Sequence, residues 1–128
     1  MPDSREPVTD APPLRRFKAA GHVPVATTLA EVRQRIDQLD QQIVALLAQR
    51  ALCVRDATRF KRNAFEVAAP GRQAEVFERV RMLAAREQTA FPGLPAIVES
   101  TYRTLVAGFV AAEGDLLDAT ELLDPTNP

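Results

Sequence analysis

The chain has 128 residues, 46% of them hydrophobic, and a formal net charge of −1 at pH 7. This charge argues against general nucleic-acid binding, and no apolar run is long enough to cross a bilayer. The single cysteine and single histidine argue against a disulfide within the chain and against a zinc site. Glycine is scarce and runs of β-branched residues are absent, which predicts an all-helical protein. Because the N-terminus lacks the apolar core of a signal peptide, we expect a cytoplasmic location.

Residues 1–27 are predicted to form a flexible N-terminal arm. They contain five of the ten prolines, and no helical period persists through them. A basic patch at residues 14–18, with the sequence LRRFK, is either solvated or in contact with a partner chain.

The first helix is predicted to run from residue 28 to about residue 62. Thr28 and Glu31 have the spacing of a capping box, which marks its start. Its apolar residues recur three and four positions apart, at Leu29, Val32, Ile36, Leu39, Ile43 and Leu46. Cys53 lies on the apolar side and is expected to be core. A helix about 50 Å long is too long for a domain with a radius of gyration of ~14 Å to cover. We therefore expect its apolar seam to pack against a second copy of the chain.

Two more helices are predicted after this one, within a helical domain that spans residues 28–123. A linker at residues 63–69 leads to Pro70, which suits a first helical turn because its missing N–H is not needed there. The second helix is predicted to span residues 70–88 and the third residues 95–123. Between them, residues 89–94 form a turn that contains Pro92-Gly93. Residues 124–128 are predicted to form a frayed tail.

Three cations and one carboxylate stand out against the helical register. Arg50 and Lys61 are 11 residues apart, about three turns, so they point the same way with Cα atoms about 16 Å apart. Two such cations on an apolar seam need a partner, and a small dianion gripped between them would supply it. Arg33 lies about 25 Å from Arg50 along the axis, so it can join such a site only from a second subunit. Glu113 falls on the packed side of the third helix, where it can donate a hydrogen bond while neutral or pair with Lys61.

Each of these residues also has a purely structural interpretation. Arg33 can pair with Asp37 on the surface of one helix. Arg50 and Lys61 can extend their charged ends past the edge of the core into water, and Glu113 can lie at a solvated helix end. The case for a site depends on the whole set.

The motif R-x3-D-x2-D-x2-I-x2-L-L-x2-R resembles the all-helical chorismate mutase family. It comprises Arg33, Asp37, Asp40, Ile43, Leu46, Leu47 and Arg50. The pair Phe60-Lys61 and Arg72 continue the resemblance, which covers about residues 28–117. The family implies an all-α protomer of three helices with a very long first helix, and an intertwined homodimer with two equivalent sites.

The resemblance also implies a role for each candidate residue. Arg33 of one subunit and Arg50 of the other would bind the two carboxylates of the substrate, supported by Arg72. Lys61 would bind the ether oxygen of the enolpyruvyl group, with Glu113 on the other side of that oxygen. The implied reaction, chorismate to prephenate, is a rearrangement within one molecule that needs no nucleophile, metal or cofactor.

Three features depart from the mutase pattern and leave alternatives open. Glu113 stands where bacterial mutases usually have glutamine. Ala69 and Gln73 occupy places near the start of the second helix where mutases often have acids that hold the ring hydroxyl; of the two, Gln73 is expected to bind the substrate. The linker from Lys61 to Arg72 is short. The last two features resemble the isochorismate pyruvate lyases of salicylate and siderophore synthesis. A mutase for an amino analogue of chorismate is a further alternative, and a helical dimerisation module is the non-enzymatic one.

Overall fold

The computed structural model describes residues 5–123, and these form helices joined by turns, without strands. The elements are α1 (Leu29–Ala57), a 3₁₀ turn (Thr58–Phe60), α2 (Ala64–Ala68), α3 (Pro70–Arg86) and α4 (Leu94–Asp118). The predicted all-α class and very long first helix are confirmed. None of the helices in this part of the chain is long and apolar enough to span a membrane. The predicted frayed tail, residues 124–128, lies outside the described residues.

Two compact units divide the chain, residues 1–48 and residues 49–128, and α1 passes from the first into the second. In the first unit, the start of α1 is capped largely as its sequence predicts. Thr28 Oγ1 accepts a hydrogen bond from the Glu31 backbone N–H at 3.2 Å. The Glu31 carboxylate accepts from the backbone N–H and hydroxyl of Thr27, both at 3.2 Å, rather than from Thr28. From the arm, the Thr9 carbonyl accepts from the Ala30 N–H, so the helix begins with its first amides satisfied.

The apolar seam of α1 is exposed in the single chain. Its side chains are 46–62% exposed at Ile36, Leu39, Ile43, Val44 and Leu46. No residue of α1 is buried, and Cys53 is also exposed, so its expected place in the core of one chain is wrong. The predicted packing of this seam against a second copy of the chain stays a prediction.

The first helix ends earlier than predicted, at Ala57, and a 3₁₀ turn follows. Thr58 Oγ1 lies 3.2 Å from the Val54 carbonyl, four residues back, a contact that competes with regular helix bonding. Lys61 then adopts an extended backbone, with φ −106° and ψ 138°. The turn reorients the chain just before Lys61.

The segment predicted as a linker contains a short helix, α2. Asn63 caps it, because its side chain accepts a hydrogen bond from the Glu66 N–H at 3.0 Å. The Glu66 carboxylate accepts from the side chain of Arg62 at 2.8 Å and from its backbone N–H at 2.7 Å. These bonds hold the pKa of Glu66 below its ordinary value. Asn63 and Glu66 thus order a stretch with little apolar periodicity.

The core of the second unit lies where α2 and α3 pack on α4. Its buried apolar residues are Val67, Val80, Ala84 and Val106, and each buried valine stabilises the fold by about 1.5 kcal/mol. Pro70 opens α3 as predicted. Both long C-terminal helices are shorter than predicted: α3 ends at Arg86 rather than at residue 88, and α4 at Asp118 rather than at residue 123. Their packing positions the side chains of the site described next.

Candidate active site

A cavity of about 310 Å³ lies within the second unit. Its walls come from the end of α1, the turn after it, and α2, α3 and α4. The residues that line it are Arg50, Cys53, Val54, Ala57, Lys61, Val67, Ala68, Ala69, Arg72, Gln73, Val76, Val106, Phe109, Val110 and Glu113. A volume of this size suits a small ligand. The set includes five of the six candidate residues, two of them on α3 and the others on separate parts of the chain.

Arg50 is the most unusual member of this set. It is half-buried, and its Nη1 is buried without a hydrogen-bond partner among residues 5–123. Its guanidinium carbon lies 5.2 Å from the centre of the Phe109 ring and 5.8 Å from that of Tyr102. A buried donor without an acceptor is costly, and a guanidinium matches the two oxygens of a carboxylate. Arg50 is therefore arranged to receive an acidic group inside the cavity.

Lys61 and Glu113 meet on another wall of the cavity. Lys61 Nζ lies 3.8 Å from Glu113 Oε2, within ion-pair range but beyond good hydrogen-bond distance. Glu113 is only 6% exposed, so it does not lie at a solvated helix end. The hydroxyl of Thr58, itself 2% exposed, contacts the same Oε2 at 3.4 Å. The loose contact leaves Lys61 and Glu113 both available to a ligand.

Arg72 and Gln73 enter the cavity from the first turn of α3. Arg72 is largely exposed and pairs with Glu75 at 3.3 Å, so its charge is partly balanced before any ligand binds. The Gln73 side-chain amide donates to the Ala68 carbonyl at 2.5 Å, which braces the turn between α2 and α3. Ala69, in that turn, has a left-handed backbone with φ 42° and presents only a methyl group to the cavity.

Arg33 is the one candidate that does not line this cavity. It lies on α1 in the first unit, where its side chain is exposed. Its suggested role requires a second copy of the chain and stays a prediction.

The balance of charge in the cavity favours an anion. Arg50, Lys61 and Arg72 face a single carboxylate, Glu113, among the lining residues of the described chain. Positive groups held at the edge of an apolar pocket act on a ligand more strongly than they would in water. The cavity can therefore bind and orient a small acidic molecule and place a cation and a carboxyl group near one of its atoms.

Three residues of the site were not predicted from the sequence. Thr58 carried no signal beyond its position three residues before Lys61. Tyr102 and Phe109 were predicted only as members of the apolar stripe of the last helix. Their spacing of seven residues places both rings on one face of α4, but that they face Arg50 follows only from the packing of α4 against the end of α1.

A family model described as chorismate mutase type II matches residues 32–114. The match covers well over half of the chain and includes all six candidate residues. No individual curated protein matches the sequence.

Proposed function

Because the chain belongs to the chorismate mutase type II family, we propose that it converts chorismate to prephenate in the cavity described above. The observation that carries this proposal is Arg50, whose buried Nη1 has no partner in the described chain. It lies in a cavity where Lys61 and Glu113 face each other. Chorismate is a dianion of suitable size, and a carboxylate on Arg50 would complete its hydrogen bonding.

The proposed reaction needs orientation and electrostatic stabilisation rather than a covalent step. Within one molecule, the ether C–O bond breaks while a new C–C bond forms, and negative charge builds up on the ether oxygen. Arg50 would hold a carboxylate so that the substrate stays folded in its reactive conformation. Lys61 would stabilise the charge on the ether oxygen, because a fixed cation in a dry site favours the polar transition state over the ground state. Glu113, when protonated, would donate a second hydrogen bond to that oxygen.

We also propose that the active form is a homodimer in which Arg33 of a second copy completes the site. The exposed seam of α1 supports this, since burying several half-exposed Leu and Ile side chains provides about 1 kcal/mol or more each. The match to the family model begins at residue 32, so it includes most of this apolar seam. Arg33 would then bind the second carboxylate.

A lyase acting on isochorismate is the second candidate, and the wall formed by the α2–α3 turn favours it. The Ala69 side chain has no polar atom to bind a ring hydroxyl. The Gln73 amide nitrogen is already bonded to the Ala68 carbonyl, which leaves only the neutral amide oxygen to accept from one. A mutase that reads the ring hydroxyl of chorismate would benefit from a carboxylate here. In the lyase reaction the bond between the ring carbon and the ether oxygen breaks. A ring hydrogen moves to the methylene carbon of the departing enolpyruvyl group, and salicylate and pyruvate form. A mutase for an amino analogue of chorismate uses the same cations.

The deciding experiment offers the purified chain chorismate and isochorismate separately. Prephenate is followed against salicylate plus pyruvate by chromatography and NMR. A Lys61→Met variant, purified identically, controls for contaminating enzymes. Prephenate from chorismate supports the mutase, and salicylate from isochorismate supports the lyase. If neither substrate is consumed while the chain forms a folded dimer, both of these enzyme proposals fail, and a mutase for an amino analogue and a dimerisation module are left.

A further inference from the structure

We propose that Phe109 and Tyr102 are positioning residues that hold the Arg50 guanidinium by their ring faces and so keep its N–H groups free for the carboxylate of the ligand. This inference rests on the proposed function, since it assigns Arg50 an acidic ligand. It concerns two side chains that belong to the apolar stripe of α4 and have no direct part in the reaction.

The geometry places both rings against one cation. The guanidinium carbon of Arg50 lies 5.2 Å from the ring centre of Phe109 and 5.8 Å from that of Tyr102. Both distances fall within the ~6 Å over which the negative face of an aromatic ring attracts a cation. The attraction strengthens where water is excluded, and Arg50 is half-buried. Two rings on one helix face thus compensate the charge and limit the rotation of the side chain.

The other arginines that lie over rings show why Arg50 is different. Arg103 lies 4.5 Å from the Phe77 ring centre, but it also pairs with Glu99 at 3.1 Å. In the remaining case among the described residues, Arg59 lies over the Phe60 ring. Arg59 also pairs with Asp56 at 2.9 Å. In both, a carboxylate of the same helix region already accepts from one guanidinium nitrogen. Arg50 has no carboxylate partner within residues 5–123.

The absence of a protein carboxylate has a chemical consequence. A carboxylate bound to Arg50 would have to be displaced by each incoming ligand, and it would repel an acidic one. A ring face stabilises the cation without accepting its in-plane N–H groups. The buried, unpartnered Nη1 is then a donor that is already desolvated and oriented. The rings therefore hold Arg50 ready for binding.

The experiment varies the electron density of the Phe109 ring while its shape is kept. Phe109 is replaced by mono-, di- and trifluorinated phenylalanine, which progressively weakens the negative face of the ring. We expect kcat/KM for chorismate to fall stepwise, by about tenfold over the series, with most of the change in KM. A ring that only fills space would show no such gradient.

A second series tests the partner of the ring without any substrate. The urea midpoint of unfolding is measured for the same replacements in the unaltered chain and in an Arg50→Met chain. We expect the midpoint to fall along the series only when Arg50 is present. Fluorination of Phe77 is the matched control: it weakens the contact with Arg103, away from the cavity, and should lower the midpoint without changing kcat/KM.

The outcomes separate this inference from the proposed function. A flat kcat/KM series, or an equal fall of the midpoint in the Arg50→Met chain, overturns the positioning role. If the unaltered chain consumes neither chorismate nor isochorismate, the proposed function fails instead. The unfolding series alone then decides whether the rings hold Arg50.

Discussion

Replacing Lys61 with methionine removes the cation and keeps most of the side-chain volume. In the proposed reaction, Lys61 faces an ether oxygen that gains part of a negative charge. Two unit charges 3.8 Å apart, the observed separation of Lys61 Nζ and Glu113 Oε2, attract each other by about 4 kcal/mol at an effective dielectric constant of 20. Single oxyanion donors contribute about 3 to 4 kcal/mol of transition-state stabilisation, which at this separation corresponds to most of a unit charge on the ether oxygen. We therefore expect kcat to fall by about 10²- to 10³-fold.

The same replacement also affects folding, and the two effects can be separated. Lys61 is the cation that neutralises the buried Glu113, so its loss should destabilise the chain by about 2 kcal/mol, less than a fully buried pair because Lys61 is 22% exposed. Adding Glu113→Gln removes the unpaired carboxylate, so the double variant should regain most of this stability without regaining activity.

The measurements are kcat from initial rates with chorismate, the helical circular dichroism signal, and the free energy of unfolding in urea. Lys61→Arg is the matched control that keeps the charge and should keep the stability. A folded Lys61→Met chain with kcat within about threefold of the unaltered chain would refute the role of Lys61. Equal losses of stability in the single and double variants would refute the ion pair as the cause.

Three further predictions concern the carboxylates and the partner subunit. A glutamine amide can donate to the ether oxygen as it stands, so Glu113→Gln should keep kcat at or above that of the unaltered chain; a loss of tenfold or more would exclude a donor role at this position. Mixing inactive Arg33→Ala and Lys61→Ala subunits should restore activity in part, because one hybrid site is intact; verified heterodimers without activity would contradict a shared site. Because Arg62 lowers the pKa of Glu66, that pair stabilises the fold above the ordinary glutamate pKa of about 4.3 and less as pH falls below it. Glu66→Gln should accordingly lower the melting temperature at neutral pH by more than in acid, and the difference should shrink as pH falls below the ordinary glutamate pKa; a difference that does not shrink would argue against this linkage.

The features that were predicted correctly are local ones. Apolar spacing of three and four residues indicated the long α1, and Pro70 marked the start of α3. The prediction that Arg50 and Lys61 share one face of a helix is wrong, because α1 ends at Ala57 before it reaches Lys61; both residues nevertheless line the cavity. The turn that follows keeps Lys61 on the cavity side.

The features that were missed depend on contacts between residues far apart in the chain or on single side-chain bonds. Apolar periodicity did not reveal α2, because its order comes from the cap at Asn63 and the bonds of Glu66. The end of α1 coincides with a hydroxyl-to-carbonyl contact of Thr58.

The sequence by itself determined that this protein is all-helical, has a very long first helix with an apolar seam, and carries a motif of the chorismate mutase family. Such features repeat along the chain, because a helix brings residues together at fixed spacing. Only the tertiary structure decided what surrounds each charge: aromatic rings against Arg50, and Lys61 with Thr58 against Glu113. In each case one member of the contact lies on α4, more than forty residues along the chain from the other. The packing of helices, which no local period encodes, brings them together.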